Sequence, residues 1–329
     1  MGKIGYLKLA AAIFFAPTVF VCMAAPVSAQ ETVEQANTET AQTALLQEFL
    51  IDRTDRMTVP VRINNSIPYP FIVDTGSERT VIANDLARLL ALEPGGILRL
   101  ATVSGPATVG SFVIDNLTTA TLSIDGIEAP GLERANLGAF GLLGIDSLQD
   151  NKIYLDLRAG TMQVLPSQRR ESRGKFESGM IVVTAQRKAG RLILSNAKID
   201  GINIDIIVDT GAQSSMGNYK LRDMMNRRNR KSSFAASQIS TVTGERLVGQ
   251  STQIRDIEIG GMHINNLPIT FTENYAIKSL GLEDRPAIFL GMDALYLFDK
   301  VAIDFTKKRV SFGLPRGAQR SGDSKLAGF

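Results

Sequence analysis

The chain has 329 residues, 44% of them apolar, and a formal net charge of +3. That is enough for two ordinary domains with full cores, and so weak a charge, without arginine–aromatic interleaving, argues against nucleic acid as a partner. Tryptophan is absent; Cys22 is the one cysteine and His263 the one histidine, so neither a disulfide framework, a zinc centre nor any other cofactor is expected.

Residues 1–29 read as a secretory signal. Lys3 and Lys8 make a positive start, Leu9 to Ala25 is apolar but broken by Pro17, and Val27-Ser28-Ala29 offers small residues for cleavage before Gln30. The alternative is an uncleaved membrane anchor. Val21 is too bulky for a lipoprotein built on Cys22. Without residues 1–29 the chain holds no cysteine and its charge falls to +1, since two lysines leave. An exported, periplasmic location is expected. Residues 30–55, rich in Glu, Gln, Thr and Ala, read as a polar linker or a covering pro-segment.

From Met57 the period becomes two. Val59, Val61 and Ile63 alternate with polar residues, Asn64-Asn65-Ser66 turns the chain, and a strand returns through Phe71. Asn84 opens a short helix through Leu90, stopped by Pro94-Gly95-Gly96. A hairpin tip is expected at Ser104-Gly105-Pro106, with strands near 109–114 and 119–124. The first unit is set at 56–166 and a linker without apolar period at 167–179.

The second unit, 180–314, repeats the order of the first. Asp200-Gly201 answers the Asn65-Ser66 turn, Thr241-Val242-Thr243-Gly244 answers Thr102-Val103-Ser104-Gly105, and Val248-Gly249 answers Val109-Gly110 at the same offset. Duplication explains this better than chance. The basic stretch 222–231 reads as a solvated helix end. Its other reading is a docking patch for an acidic substrate region or an anionic membrane surface, hence a membrane-anchored substrate. Residues 315–329 read as a flexible tail.

Both units carry one phrase. Phe71-Ile72-Val73-Asp74-Thr75-Gly76 and Ile206-Ile207-Val208-Asp209-Thr210-Gly211 are apolar strands that each deliver a carboxylate to the edge of a core. Asp-Thr-Gly alone also makes an ordinary turn; two copies in one frame point to paired carboxylates. With Leu142-Leu143-Gly144 and Phe289-Leu290-Gly291, each followed by two strands, the phrases resemble the active-site motifs of aspartic proteases, in detail the retropepsin-like members. The resemblance covers about residues 56–314. It departs from the viral members at Ile145 and Met292, where those often carry an arginine.

The resemblance implies an all-β, two-lobed fold with pseudo-twofold symmetry and β-barrel lobes. It implies an endopeptidase whose catalytic pair is Asp74 and Asp209, sharing one proton and activating a water. Thr75 and Thr210 would cross-link the two loops, Gly76 and Gly211 would give N–H groups to the carboxylates, and Ser77, with Ala212 in its place in the second copy, would supply a hydroxyl that makes Asp74 the more acidic. Ser104, Gly105, Thr243 and Gly244 would form two flaps over a protein or peptide substrate. A monomer follows, since both carboxylates lie on one chain. Two rivals remain: a non-catalytic peptide-binding module, and a protease active only as a homodimer.

Overall fold

Two β-branched runs that turn on residues tolerant of left-handed backbone make each half of the fold. In a computed structural model, Met57–Ile63 (β3) and Tyr69–Val73 (β4) join through Asn64 and Asn65, at φ of 46° and 63°. Arg191–Ile199 (β14) and Ile202–Val208 (β15) join through Asp200 and Gly201, at 47° and 77°. Positive φ at both central residues matches the right-handed twist of the flanking strands. The structure describes residues 47–48, 50–51, 56–167, 179–228, 233–315 and 324–327. The expected signal at 1–29, most of 30–55, nearly all of 167–179 and residues 229–231 of the basic stretch lie outside the described residues.

The first half continues with Val81–Ala83 (β5), Asn84–Leu89 (α1), Pro94–Ala101 (β6), Pro106–Thr118 (β7), Ser123–Leu132 (β8), Arg134–Leu137 (α2), Gly141–Leu143 (β9), Ile145–Leu148 (α3), Asn151–Asp156 (β10) and Thr161–Pro166 (β11). The second runs through Met216–Gly217 (β16), Tyr219–Arg228 (α4), Ala235–Ser240 (β17), Arg246–Ile259 (β18), Met262–Phe271 (β19), Tyr275–Ser279 (α5), Ala287–Leu290 (β20), Met292–Leu295 (α6), Lys300–Asp304 (β21) and Arg309–Gly313 (β22). Gln47–Glu48 (β1) and Leu50–Ile51 (β2) precede the first half as Ile181–Thr184 (β12) and Gln186–Lys188 (β13) precede the second. The two halves therefore match element for element, as the duplicated sequence implies.

The lobe sheets share one strand order, β2-β3-β4-β9-β5-β8-β7-β6 and β13-β14-β15-β20-β16-β19-β18-β17. In each, the strand carrying the aspartate lies parallel to the apolar strand before the second glycine: Val73 faces Leu143 and Val208 faces Leu290. The class is all-β. A third sheet, order β1-β11-β10-β21-β22-β12, draws on both halves and is palindromic about the β10–β21 pairing. There Ile153 faces Ile303 and Tyr154 faces Ala302, and all four are buried. Sequence patterning gave these strands to separate lobes; cross-pairing instead satisfies the edge backbone of each by the other. Phe71, Phe271, Phe305 and Phe312 are fully buried, so one core runs through both lobes. Each such ring contributes about 1.5–3 kcal/mol relative to exposure.

Three expectations need correction. The stretch read as a polar linker is not without regular structure, since it supplies strands β1 and β2, which pair with β11 and β3. Residues 119–122 form a turn, and the strand expected at 119–124 begins at Ser123. The tail is not free throughout, because Ser324–Ala327 (β23) pairs parallel with the start of β19.

Candidate active site

Each aspartate is delivered by the last turn of a buried strand and fixed by the loop that follows it. The Asp74 N–H donates to the Leu143 carbonyl at 2.9 Å and the Asp209 N–H to that of Leu290 at 3.0 Å. The Asp74 carboxylate accepts from the N–H groups of Gly76 (2.8 Å) and Ser77 (2.9 Å). Asp209 accepts from Gly211 (2.9 Å) and Ala212 (3.0 Å).

The two loops interlock. Thr75 N–H donates to Thr210 Oγ1 at 3.1 Å, and Thr210 N–H to Thr75 Oγ1 at 3.2 Å. Thr75 Oγ1 donates to the Val208 carbonyl at 2.9 Å and Thr210 Oγ1 to the Val73 carbonyl at 2.6 Å. Both threonines are buried. The glycines are required by close approach: a Cβ on Gly76 would lie 2.5 Å from the Asp209 carboxyl carbon, and one on Gly211 would lie 2.2 Å from that of Asp74. Each carboxyl thus sits against the other lobe's loop.

Two carboxyls so placed do not both ionise readily. Burial, with the Asp74 charge next, pushes Asp209 up to about 8. Asp74 is also raised by burial, but its two backbone N–H bonds and the nearby Arg191 and Arg56 guanidiniums draw it back. Asp209 is 9% exposed, whereas Asp74 is only half-buried, which leaves water to solvate its charge. Burial and the Asp74 charge thus favour the protonated form of Asp209, the less exposed of the two carboxyls. The Ser77 hydroxyl plays no part in this order, contrary to expectation: it donates to the Arg79 carbonyl, and only the Ser77 N–H reaches Asp74.

Sequence reasoning missed three supporting groups. Arg191, 3% exposed, donates from Nε to the Gly76 carbonyl at 2.6 Å and meets Glu78 at 2.7 Å, tying the second lobe to the first aspartate's loop. Arg56 and Arg191 precede Asp74 and Asp209 at one common offset, which was the available signal. Asp146 accepts from the N–H and hydroxyl of Thr80 at 2.9 and 2.7 Å, and Asp293 from those of Ser215 at 2.9 and 2.7 Å. These carboxylates directly follow Ile145 and Met292 and tie the apolar-glycine element of each lobe to the chain just beyond its aspartate loop. His263 pairs through Nδ1 with Asp256 at 2.8 Å on two neighbouring strands, a structural place.

Ser104 and Gly105 lie at the tip joining β6 to β7, and Thr243 and Gly244 at the tip joining β17 to β18. Each tip reaches the opposite lobe. The Val103 carbonyl accepts from the Tyr275 N–H at 2.9 Å, and Gly244 packs against the Asn136 side chain. The basic helix α4 is partly neutralised within itself, for Arg222 bonds Asp223 at 2.6 Å and stacks 4.1 Å from the Tyr219 ring centroid.

A comparison with curated proteins gave no match. A family model described as "Aspartyl protease" matches residues 59–147 and 195–294, more than half of the chain. Each matched stretch contains one Asp-Thr-Gly loop and the apolar-glycine strand beside it. The twofold match and the two interlocked loops lead to one conclusion: the chain belongs to the aspartyl protease family.

Proposed function

We propose that the protein is an aspartic endopeptidase in which Asp74 and Asp209 act as one catalytic pair on an extended peptide. The observation that carries this is the placement of each carboxyl against the opposite loop's glycine, with Asp209 raised to about 8 beside a half-buried Asp74. The ionised Asp74 takes a proton from a water between the carboxyls, and that water attacks the scissile carbonyl. The protonated Asp209 donates to the carbonyl oxygen. Asp74 then passes that proton to the amine as the C–N bond breaks, and a hydroxyl proton of the tetrahedral intermediate returns to Asp209. Gly76, Ser77, Gly211 and Ala212 aim the carboxylates through their N–H groups, and the Thr75–Thr210 lock keeps the pair in register.

The hairpin tips at Ser104-Gly105 and Thr243-Gly244 act as flaps, covering the peptide and excluding water while the pair works beneath. The protein works as a monomer after export, with residues 1–29 as its signal. Cleavage of a peptide library by residues 30–329, repeated over a dilution series, tests this reading. Constant activity per molecule is expected. Activity that disappears on dilution, in step with dissociation on a sizing column, would favour a dimeric protease, and binding without cleavage would favour the peptide-binding module.

A further inference from the structure

One strand edge is covered in the second lobe and open in the first. β18 pairs along one edge of β19; the other edge carries β16 at Thr270 and Phe271 and the parallel strand β23 at Met262–Asn265. β8 is the counterpart of β19. β7 pairs along one of its edges, and β5 takes the other at Gly131 and Leu132 alone. Asp125 faces Asn116 as Asn265 faces Asp256, and the next residues, Gly126 and Asn266, both have left-handed backbone, at φ of 68° and 59°. Among the described residues no strand lies against the remaining edge of β8, residues 123–130. The stretch after β22 returns to β19, whereas the stretch after β11 is committed to β12, which pairs with β22.

Exposure follows the difference. Met262 and Ile264 are buried and His263 and Asn265 half-buried; their counterparts Leu122 and Ile124 are half-buried, and Ser123 and Asp125 are exposed. The open edge also offers hydrogen bonds. Asn116 gives its carbonyl to the Asn64 N–H at 2.9 Å, and its N–H to the Asn64 side chain at 3.0 Å. Facing residues of an antiparallel pair turn their backbone groups alike, both inward or both outward, so Asp125 directs its N–H and carbonyl to the free edge. A cavity of about 240 Å³ lies along residues 124–128 and is lined also by Arg79, Asp146 and Ser147. Ile124 and Ile127 give it an aliphatic surface. Asp125, Glu128 and Asp146 set three carboxylates against one guanidinium, and the Ser111 hydroxyl and Gly96 N–H hold Glu128 below the usual carboxylate range.

We infer that residues 123–128 of β8 are a docking edge for an extended, basic segment of a partner protein, added in parallel as β23 is added to β19. The Asp125 backbone bonds the incoming strand, an aliphatic residue meets Ile124 and Ile127, and a lysine or arginine meets the carboxylates. The strand seated in the second lobe, Ser324-Lys325-Leu326-Ala327, has this composition, with one cation and one large aliphatic residue. The occupant is foreign because moving β23 off β19 would only exchange one open edge for another. The inference stands apart from the peptidase reading.

The experiment uses the purified protein and a fluorescent peptide with the sequence of residues 320–329, read by anisotropy at low salt. Asp125→Pro removes the outward N–H without taking a bond from the β7–β8 ladder, and Asp125→Lys reverses the charge. Saturable one-to-one binding is expected. Asp125→Pro should weaken it by about tenfold, the ordinary worth of a backbone hydrogen bond, and Asp125→Lys by about fivefold. A peptide carrying Lys325→Glu should bind about fivefold more weakly to the unaltered protein. Melting temperatures within a few degrees show that the variants fold; should Asp125→Pro fail to, Asp125→Lys and the altered peptide decide. Absence of saturable binding overturns the inference. So does binding that survives both variants, which would place the peptide on β19 in exchange for β23. Self-association of the protein that Asp125→Pro abolishes would give the edge to a second copy and overturn the assignment to a foreign partner.

Discussion

Thr75 and Thr210 exchange places across the lobe boundary: each hydroxyl donates to the carbonyl of the residue preceding the other's aspartate, at Val208 and Val73. Replacement by valine keeps the shape and strands a buried carbonyl. Thr75→Val and Thr210→Val should each destabilise the fold by about 1–3 kcal/mol in urea unfolding. The double variant should cost less than the sum, because the first change already releases the shared contact.

Arg191 and Glu78 form an unequal pair, with side chains 3% and 48% exposed. The guanidinium's bond to the Gly76 carbonyl is the buried part, so the two ends should differ on mutation. Glu78→Gln should change stability by less than about 1 kcal/mol, as exposed ion pairs do. Arg191→Met should cost about 1–3 kcal/mol by orphaning a loop carbonyl, and should lower kcat more than it raises KM. Urea midpoints and steady-state kinetics on both variants check this.

The shared proton sets a pH dependence with a definite sign. Asp209 is raised from the usual carboxylate range to about 8, so between about pH 4 and 8 the folded chain binds a proton that the unfolded chain has lost. Stability contributed by that group is full below pH 4 and falls as pH rises toward 8, on the order of a few kcal/mol in all. Asp209→Asn should therefore raise the melting temperature at pH 8 and leave it nearly unchanged at pH 4. The kcat/KM profile should be bell-shaped with its basic limb near pH 8, where the pair loses its proton.

Both hairpin tips rest on the opposite lobe, and each should matter to turnover. Gly105→Val meets nothing within 4 Å but strains a backbone at φ 152°, and Gly244→Val strains one at 86° and brings its side chain to 2.7 Å from the Asn136 amide. Both Gly105→Val and Gly244→Val should slow cleavage while the melting temperature stays within a few degrees. An effect of Gly105→Val alone would mean that the second tip is not a flap.

Much of this arrangement was legible in the chain. Period-two runs, paired turn residues and the repeated Asp-Thr-Gly led to two all-β lobes and to the loops now seen interlocked. What escaped was set by long-range pairing. Nothing local in Ile153–Leu157 or Val301–Phe305 tells a strand that it will pair across lobes. Likewise two residues of strand at Gln47–Glu48 are too short to show a period. The Ser77 hydroxyl next to Asp74 in sequence bonds the Arg79 carbonyl instead, and the difference between the two acids lies in solvent exposure, a tertiary property. Arg191 and Asp293 act on loops distant in sequence, and only their matched offsets in the two copies could have marked them.

The central claim is that Asp74 and Asp209 act as one unit, and the most direct measurement is single-turnover cleavage by Asp74→Asn, Asp209→Asn and the double variant. Each single change should lower the rate by about three or more orders of magnitude, and the double change should add little, since members of a unit are not additive. Near-normal activity in either single variant, or losses that multiply in the double, would contradict a shared catalytic pair.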